Sequence, residues 1–183
     1  MTTDLSGLQN MEWVDISQNQ RLEEIPIWMY EMRSLRQLDV HSCKICSVAE
    51  SIGNLSKLAH MSLHSNELVA LPETLGACTA MTWLSLNSNM LESVPESIGN
   101  LRQLVRLSLH INRLSKVPES LCNCTRLEAL SLHSNMLKKG SIPDAFSRLR
   151  ECLRLSLYHN PHLGEIPDGV CGMVSLKVGC LFG

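Results

Sequence analysis

Three side chains in the N-terminal half of the chain could carry out hydrolytic chemistry: Asp39, Ser62 and His64. In a catalytic triad, a histidine removes the proton of a serine hydroxyl while an aspartate orients the histidine. The spacing of these residues would place them close together on neighbouring strands of an open sheet. An open sheet face supplies no oxyanion hole and does not exclude water, and these two effects contribute most to catalysis. We therefore predict no catalytic residues and no enzymatic activity.

Four histidines form two pairs with the same separation: His41 with His64, and His110 with His133. On adjacent strands, each pair would lie about 5 Å apart at the backbone. Protonation of one imidazole should then make protonation of the other harder. A structural zinc ion needs more than two protein ligands, and no third ligand is evident, so we predict no metal and no cofactor. Two alternatives remain: a surface that responds to pH, and duplicated segments with exposed imidazoles.

The cysteines indicate a reduced protein. Of the eight cysteines, Cys43, Cys78, Cys124 and Cys152 occupy interior positions of a repeating apolar pattern. Free cysteine behaves there as a small hydrophobic residue. The C-x-x-C spacing that begins at Cys43 has no matching second pair, so it does not predict zinc. A reducing compartment fits best, and we predict a cytoplasmic location.

The elements that position these residues follow from a repeat of 23 residues. Asn66, Asn89, Asn112 and Asn135 recur at this interval. Around them, leucine-type residues occupy positions 1, 4, 7 and 9 of the repeat, with asparagine at position 12 and proline at position 18. Such a period indicates a solenoid, because one repeat alone cannot bury its own leucines.

We predict a single domain over residues 1–183 with about seven repeats. The repeats start near Leu8, Met32, Leu55, Cys78, Leu101, Cys124 and Leu149, and a partial repeat starts at Met173. Extra residues between Asn135 and Pro143, and between Asn160 and Leu163, should form loop bulges that leave the strands intact. The pattern should fail at Gly179.

Within each repeat, positions 4 to 9 alternate apolar and polar residues, as a half-buried strand does. Equivalent strands should pair in parallel, about 4.8 Å apart. Buried amides need partners, so the asparagines should bond backbone groups of their own and the neighbouring repeat. Glu73, Glu96 and Glu119 each follow a proline, which suits the first turn of a short helix.

The spacing L-x-x-L-x-L-x-x-N-x-L, complete from Leu104 to Leu114, resembles the leucine-rich repeat. This resemblance implies an α/β fold, a solenoid with a curved parallel β-sheet on the concave face and short helical or irregular segments on the convex face. Residues 94–101 resemble the 23-residue intracellular type of Ras-group and Scribble- or Erbin-like scaffolds. Those proteins bind small GTPases, phosphatases or other signalling proteins on the concave face. Residues 140–143 and 164–167 look like the G-x-I-P repeats of plant receptor-kinase ectodomains.

The polar residues that alternate with the strand leucines should all point from the concave side. Strand formation does not require large rings there, and rings are frequent anchors of protein interfaces. Small serines such as Ser62 and Ser85 should let a partner approach the strands closely. Acids lie in the first two repeats and arginines in later ones, which favours a partner of opposite polarity. The predicted partner-binding residues are Trp13, Asp15, Asp39, His41, His60, His64, Trp83, Asn87, Arg106, His110, His133, Arg154 and Tyr158.

Charge and length narrow the function further. A net charge of -2 does not favour a polyanion, so we predict no nucleic-acid partner. No stretch approaches about 18 apolar residues, so we predict no membrane span, and the first residues lack the pattern of a signal peptide. We predict a non-catalytic protein-protein interaction module in intracellular signalling or scaffolding. The alternative is the recognition segment of a larger enzyme or receptor whose catalytic domain lies outside this chain.

Overall fold

Residues 8–181 are described by a computed structural model, in which one parallel sheet runs the length of the solenoid. Each repeat contributes a three-residue strand, and the strands pair in chain order, as predicted. The strands are β1 (Trp13–Asp15), β2 (Gln37–Asp39), β3 (His60–Ser62), β4 (Trp83–Ser85), β5 (Arg106–Ser108), β6 (Ala129–Ser131), β7 (Arg154–Ser156) and β8 (Val178–Cys180). The leucine-rich repeat solenoid expected from the sequence is therefore confirmed.

Short helices on the convex side close each repeat. The 3₁₀ helices span Ile27–Glu31, Glu50–Asn54, Glu73–Ala77, Glu96–Asn100, Glu119–Asn123 and Asp144–Arg148, and one α-helical turn, α1, spans Asp168–Cys171. Five of these helices begin directly after a proline and with an acidic residue, as predicted. Proline fixes a suitable φ angle at such a start, and the acid lies where the helix dipole favours negative charge.

The register of the sheet repeats without a slip. Met61, Leu84 and Leu107 are aligned partners at the centres of β3, β4 and β5, and all three are buried. Because successive side chains of a strand point to opposite faces, the first and third residues of every strand lie on the concave face. This register turns each position of the repeat into a column of neighbouring side chains.

The asparagine column forms the predicted hydrogen-bonded ladder. Nδ2 of Asn89 donates to the carbonyl oxygens of Leu63 in the preceding repeat and Leu86 in its own, both at 3.0 Å. Its Oδ1 accepts from the backbone N–H of Leu68 at 3.0 Å. In the repeat where the column holds cysteine, Sγ of Cys43 donates to the carbonyl of Ile16 at 3.6 Å. Each asparagine thus ties two adjacent repeats together at a buried position.

The residue before each member of this column adopts a left-handed backbone conformation. The φ angles lie between 54° and 59° in Gln18, Ser42, Ser65, Ser88, Ile111, Ser134 and His159. Serine accepts this conformation at modest cost, whereas a β-branched side chain is a steric outlier there. Ile111 is the β-branched member, and its side chain is 50% exposed.

The irregular repeats change the loops and not the sheet. The inserted residues form turns that place Gly140 and Gly164 at φ angles of 75° and 76°, and β6 and β7 keep their register. The apolar pattern fails at Gly179, but the backbone of Gly179 still pairs with Leu155 in the sheet. Strand pairing uses backbone groups, so the loss of a leucine side chain at this position does not prevent it.

Candidate functional site

The thirteen predicted partner-binding residues fall into three columns on the concave face. Residues at strand starts are Trp13, His60, Trp83, Arg106 and Arg154, and those at strand ends are Asp15 and Asp39. The third column lies two residues beyond the strands and contains His41, His64, Asn87, His110, His133 and Tyr158. The sheet register brings all of them to one surface, which we call the concave columns.

The rings of the concave columns differ in exposure. Trp13 is 58% exposed and donates from Nε1 to Oδ2 of Asp39 at 3.0 Å. Trp83 and Tyr158 are half-buried. The ring of Trp83 meets the ring of His60 edge to face, with centroids 5.9 Å apart, and this contact covers part of it. Trp83 is therefore held in a defined position before any partner arrives.

The serine column is less accessible than the sequence suggested. Ser62 is only 2% exposed and Ser85 only 5%, so a partner cannot approach the strands closely at these residues. A serine side chain is short, and Ser62 lies between the longer side chains of His60 and His64 on the same face of the strand. These two histidines therefore cover it. The hydroxyl of Ser85 donates to Oδ1 of Asn87 at 2.8 Å. On β3 and β4 the accessible surface is consequently formed by the residues on either side of these serines.

The outer column of histidines consists of stacked rings. The centroids of His41 and His64 are 4.4 Å apart at an interplanar angle of 10°. His110 and His133 are also 4.4 Å apart, and Tyr158 extends this second stack at 4.3 Å from His133. The histidines of this column are half-buried, which corrects the alternative of exposed imidazoles. The rings stack and become partly buried because the aligned register places them side by side in successive repeats.

Three of the stacked histidines each form a hydrogen bond with the serine that follows directly in the chain. Nδ1 of His41, His64 and His133 lies 3.1 to 3.2 Å from that serine's Oγ. In the repeat of His110 the next residue is Ile111, and Nδ1 of His110 is buried without a partner among residues 8–181. Sequence reasoning missed Ile111, although the signal was present as an isoleucine in a column that is mostly serine.

Burial and nearby histidines lower the pKa of three histidines in this column. Desolvation lowers the pKa of His64, and the neighbouring His41 lowers it further. Desolvation also lowers the pKa of His110, with a further contribution from His133. The pKa of His133 is lowered for the same primary reason. These shifts favour the neutral imidazole of His64, His110 and His133.

The three candidate triad residues do not form a proton relay. Nδ1 of His64 bonds Ser65 at 3.1 Å, and Oδ2 of Asp39 accepts from Gln37 at 2.8 Å as well as from Trp13. The hydroxyl of Ser62 is on a residue that solvent hardly reaches. These contacts hold the three side chains in separate local networks.

Charges on the concave columns are divided between the two ends of the sheet. Asp15 and Asp39 lie on β1 and β2, and hydrogen bonds from Ser17 lower the pKa of Asp15. Arg106 and Arg154 lie on β5 and β7 and are exposed. Within the described chain, the ion pairs are Arg36 with Glu12 and Lys139 with Glu165, outside these columns. The two concave arginines therefore carry uncompensated charge.

The buried cysteines are unreactive, and no cluster of metal ligands forms in the described residues. Burial raises the pKa of Cys78 to about 11 and of Cys124 to about 12, which makes both thiols poor nucleophiles and metal ligands. No group of three or more metal-ligating side chains converges within residues 8–181. The helices of this part of the chain are all too short to cross a bilayer.

A family model described as a leucine-rich repeat region matches residues 24–166. The chain belongs to the leucine-rich repeat family. Comparison with the curated proteins found no match. Members of this family generally serve as protein-protein interaction modules and are typically not catalytic.

Solved leucine-rich repeat structures share this fold. An internalin from Listeria monocytogenes superimposes with a TM-score of 0.82 at 20% identity, over 98% of this chain and 50% of that chain. The leucine-rich repeat ectodomain of the receptor kinase GASSHO1/SCHENGEN3 from Arabidopsis thaliana gives 0.77 at 31% identity, over 91% and 20%. The plant peptide hormone receptor RGFR1 gives 0.69 at 30%, over 84% and 25%. This leucine-rich repeat chain thus spans half or less of each of these structures.

Proposed function

We propose that this protein is a non-catalytic interaction module that binds a partner protein or peptide on its concave columns. The observation that carries this proposal is the stacked and positioned set of rings on one sheet face, with Trp13 exposed and Trp83 and Tyr158 held by neighbours. Large pre-ordered rings supply contact area at small cost in conformational entropy. Such rings are frequent hot spots of protein interfaces.

Two similar structures were solved with a bound partner, which supports a role in binding. The GASSHO1/SCHENGEN3 ectodomain was solved in complex with CASPARIAN STRIP INTEGRITY FACTOR 2, and RGFR1 was solved in complex with RGF2. They share 31% and 30% sequence identity with this chain. A partner of comparable kind, a peptide or a small protein, is consistent with the open concave face.

The finer assignment combines the sequence resemblance with the cysteines. We place the module in intracellular signalling or scaffolding, with a small GTPase, a phosphatase or another signalling protein as partner and a cytoplasmic location. The alternative is that it forms the recognition segment of a larger enzyme or receptor. The observation that favours this alternative is that the chain spans only 20% to 50% of the length of the similar structures.

Affinity capture with matched variants tests the proposal. Trp83→Ala combined with Tyr158→Ala removes two rings from the concave columns without a change of charge. Ile27→Ala combined with Val69→Ala removes two exposed apolar side chains outside the strands and serves as control. We expect the first variant to lose the partners that the wild type and the control retain, at equal thermal stability. Equal capture by all three proteins would refute the proposal.

A further inference from the structure

The arginines of β5 and β7 form a matched pair across the sheet. Arg106 is the aligned partner of Ala129, and Ala129 is the aligned partner of Arg154. Two strand spacings separate the arginine backbones by about 10 Å. The methyl group of Ala129 leaves the space between the two side chains open. A group seated over Ala129 would have a guanidinium on each side.

The surroundings of this pair leave its charge unbalanced. Both side chains are exposed, and neither has an ion-pair or side-chain hydrogen-bond partner among residues 8–181. The concave columns of β3 to β7 consist of neutral residues and histidines apart from these arginines, whereas Asp15 and Asp39 lie at the far end. An acidic segment would therefore be attracted to β5–β7 and repelled from β1 and β2.

A second feature of the same repeat points to an apolar contact. Ile111 is half exposed, adopts a φ of 54° that disfavours β-branched residues, and leaves Nδ1 of His110 without the hydroxyl found in equivalent repeats. Strained backbone positions cluster at functional sites, so this outlier motivates a hypothesis of function. Ile111 lies five residues beyond Arg106, and these residues can span at most about 17 Å at about 3.3 Å per residue.

We infer that the concave face of β5–β7 binds an extended acidic segment of a partner protein. Its carboxylates lie between Arg106 and Arg154, where guanidinium groups can form charge-assisted hydrogen bonds. An apolar side chain about five residues along the segment contacts Ile111. This inference rests on the proposed function and names the chemistry of the partner.

Fluorescence anisotropy with synthetic peptides tests the inference. The probes are labelled, extended Gly/Ser/Thr peptides that carry two adjacent glutamates and a leucine five residues away, made in both orders. A matched pair of peptides has glutamine in place of glutamate. We expect at least one acidic peptide to bind at least tenfold more tightly than its glutamine analogue, and its affinity to fall as salt is raised.

The matched protein variants are Arg106→Gln with Arg154→Gln, and Arg102→Gln with Arg150→Gln. The control arginines are exposed and lie in the turns four residues before the concave ones, so both variants lose the same charge. We expect the first variant to lose at least tenfold in affinity for the acidic peptide and the control to stay within twofold.

Three results would overturn the inference: no binding at millimolar protein, equal affinity for acidic and glutamine peptides, or equal effects of the two arginine variants. Its failure is separable from that of the proposed function. If the peptides fail while Trp83→Ala with Tyr158→Ala still abolishes partner capture, the concave face binds partners and only their acidic character is wrong.

Discussion

The histidine column shows how neighbours change the chemistry of one residue type. An isolated surface imidazole titrates near neutral pH. In this column the rings stack at 4.4 Å, and His64, His110 and His133 lose water and lie near a second histidine. The result is a lowered pKa at His64, His110 and His133.

This shift predicts a pH dependence of stability. The folded-state pKa is below the unfolded value, so the unfolded chain binds more protons, and folding is weakened as pH falls. The free energy of unfolding should be nearly constant between about pH 8 and pH 7, and it should decrease as pH drops from the ordinary histidine pKa near 6.5 toward the lowered values.

Asparagine already occupies this column at Asn87, so the double substitution His64→Asn with His110→Asn should be well tolerated. It should make the free energy of unfolding decrease less steeply as pH falls. Urea midpoints measured between pH 8 and pH 5 check it, with the exposed His162→Asn as control. A steeper decrease in the double variant than in the wild type would contradict the explanation.

Ile111 gives a second prediction at this scale. Ile111→Ser should raise the free energy of unfolding by about 1 kcal/mol, because it removes a β-branched side chain from the left-handed region. The new hydroxyl can also bond Nδ1 of His110. The same change should weaken acidic-peptide binding, since stability gained at a functional position commonly reduces function.

Chemical unfolding and peptide anisotropy measure the two effects of Ile111→Ser separately. Val69→Ser serves as control, because Val69 is a similarly exposed β-branched residue outside the left-handed positions. A loss of stability at Ile111 equal to that at Val69 would show that the strain is unimportant.

At the scale of elements, the convex helices Glu96–Asn100 and Glu119–Asn123 pack so closely that glycine is required at Gly99. A Cβ atom added to Gly99 would lie 2.5 Å from the carbonyl oxygen of Ser120 in the next helix. The equivalent approach at Gly53 is 3.0 Å, to the carbonyl oxygen of Thr74, and at Gly179 only side chains are near, at 3.4 Å. The helices of successive repeats therefore approach each other more closely as the solenoid proceeds from Gly53 to Gly99.

A graded series of alanine substitutions tests this packing. Gly99→Ala should destabilise the protein by about 2 kcal/mol, because backbone must move to relieve the overlap. Gly53→Ala should cost less, and Gly179→Ala should be close to neutral. Urea midpoints compare the three variants, and an equal cost at all three positions would contradict the packing explanation.

Elements were predictable from the sequence to the extent that they repeat. The parallel strands, the asparagine ladder and the helix starts after proline follow from spacing alone, because every copy faces the same physical requirement. The burial of Ser62 and the stacking of His41 on His64 were not predictable, since they depend on how tall side chains from neighbouring strands cover shorter ones. The pairing of Gly179 does not follow from the apolar pattern, because that pattern describes side chains, whereas strands pair through the backbone.

At the scale of the whole molecule, the solenoid has two dissimilar faces. The convex side is a close-packed series of short helices. The concave side presents ordered rings together with a division of charge, acidic at β1 and β2 and basic at β5 and β7. A partner should therefore bind the concave side and leave the convex side free.

Hydroxyl-radical footprinting of the protein with and without a captured partner distinguishes the two faces, because tryptophan, tyrosine and histidine side chains are oxidised according to their exposure. We expect oxidation of Trp83 and Tyr158 to fall several-fold in the complex. Oxidation of Trp28, on the convex helix Ile27–Glu31, should stay unchanged. Protection of Trp28 with undiminished oxidation of Trp83 and Tyr158 would contradict binding on the concave side.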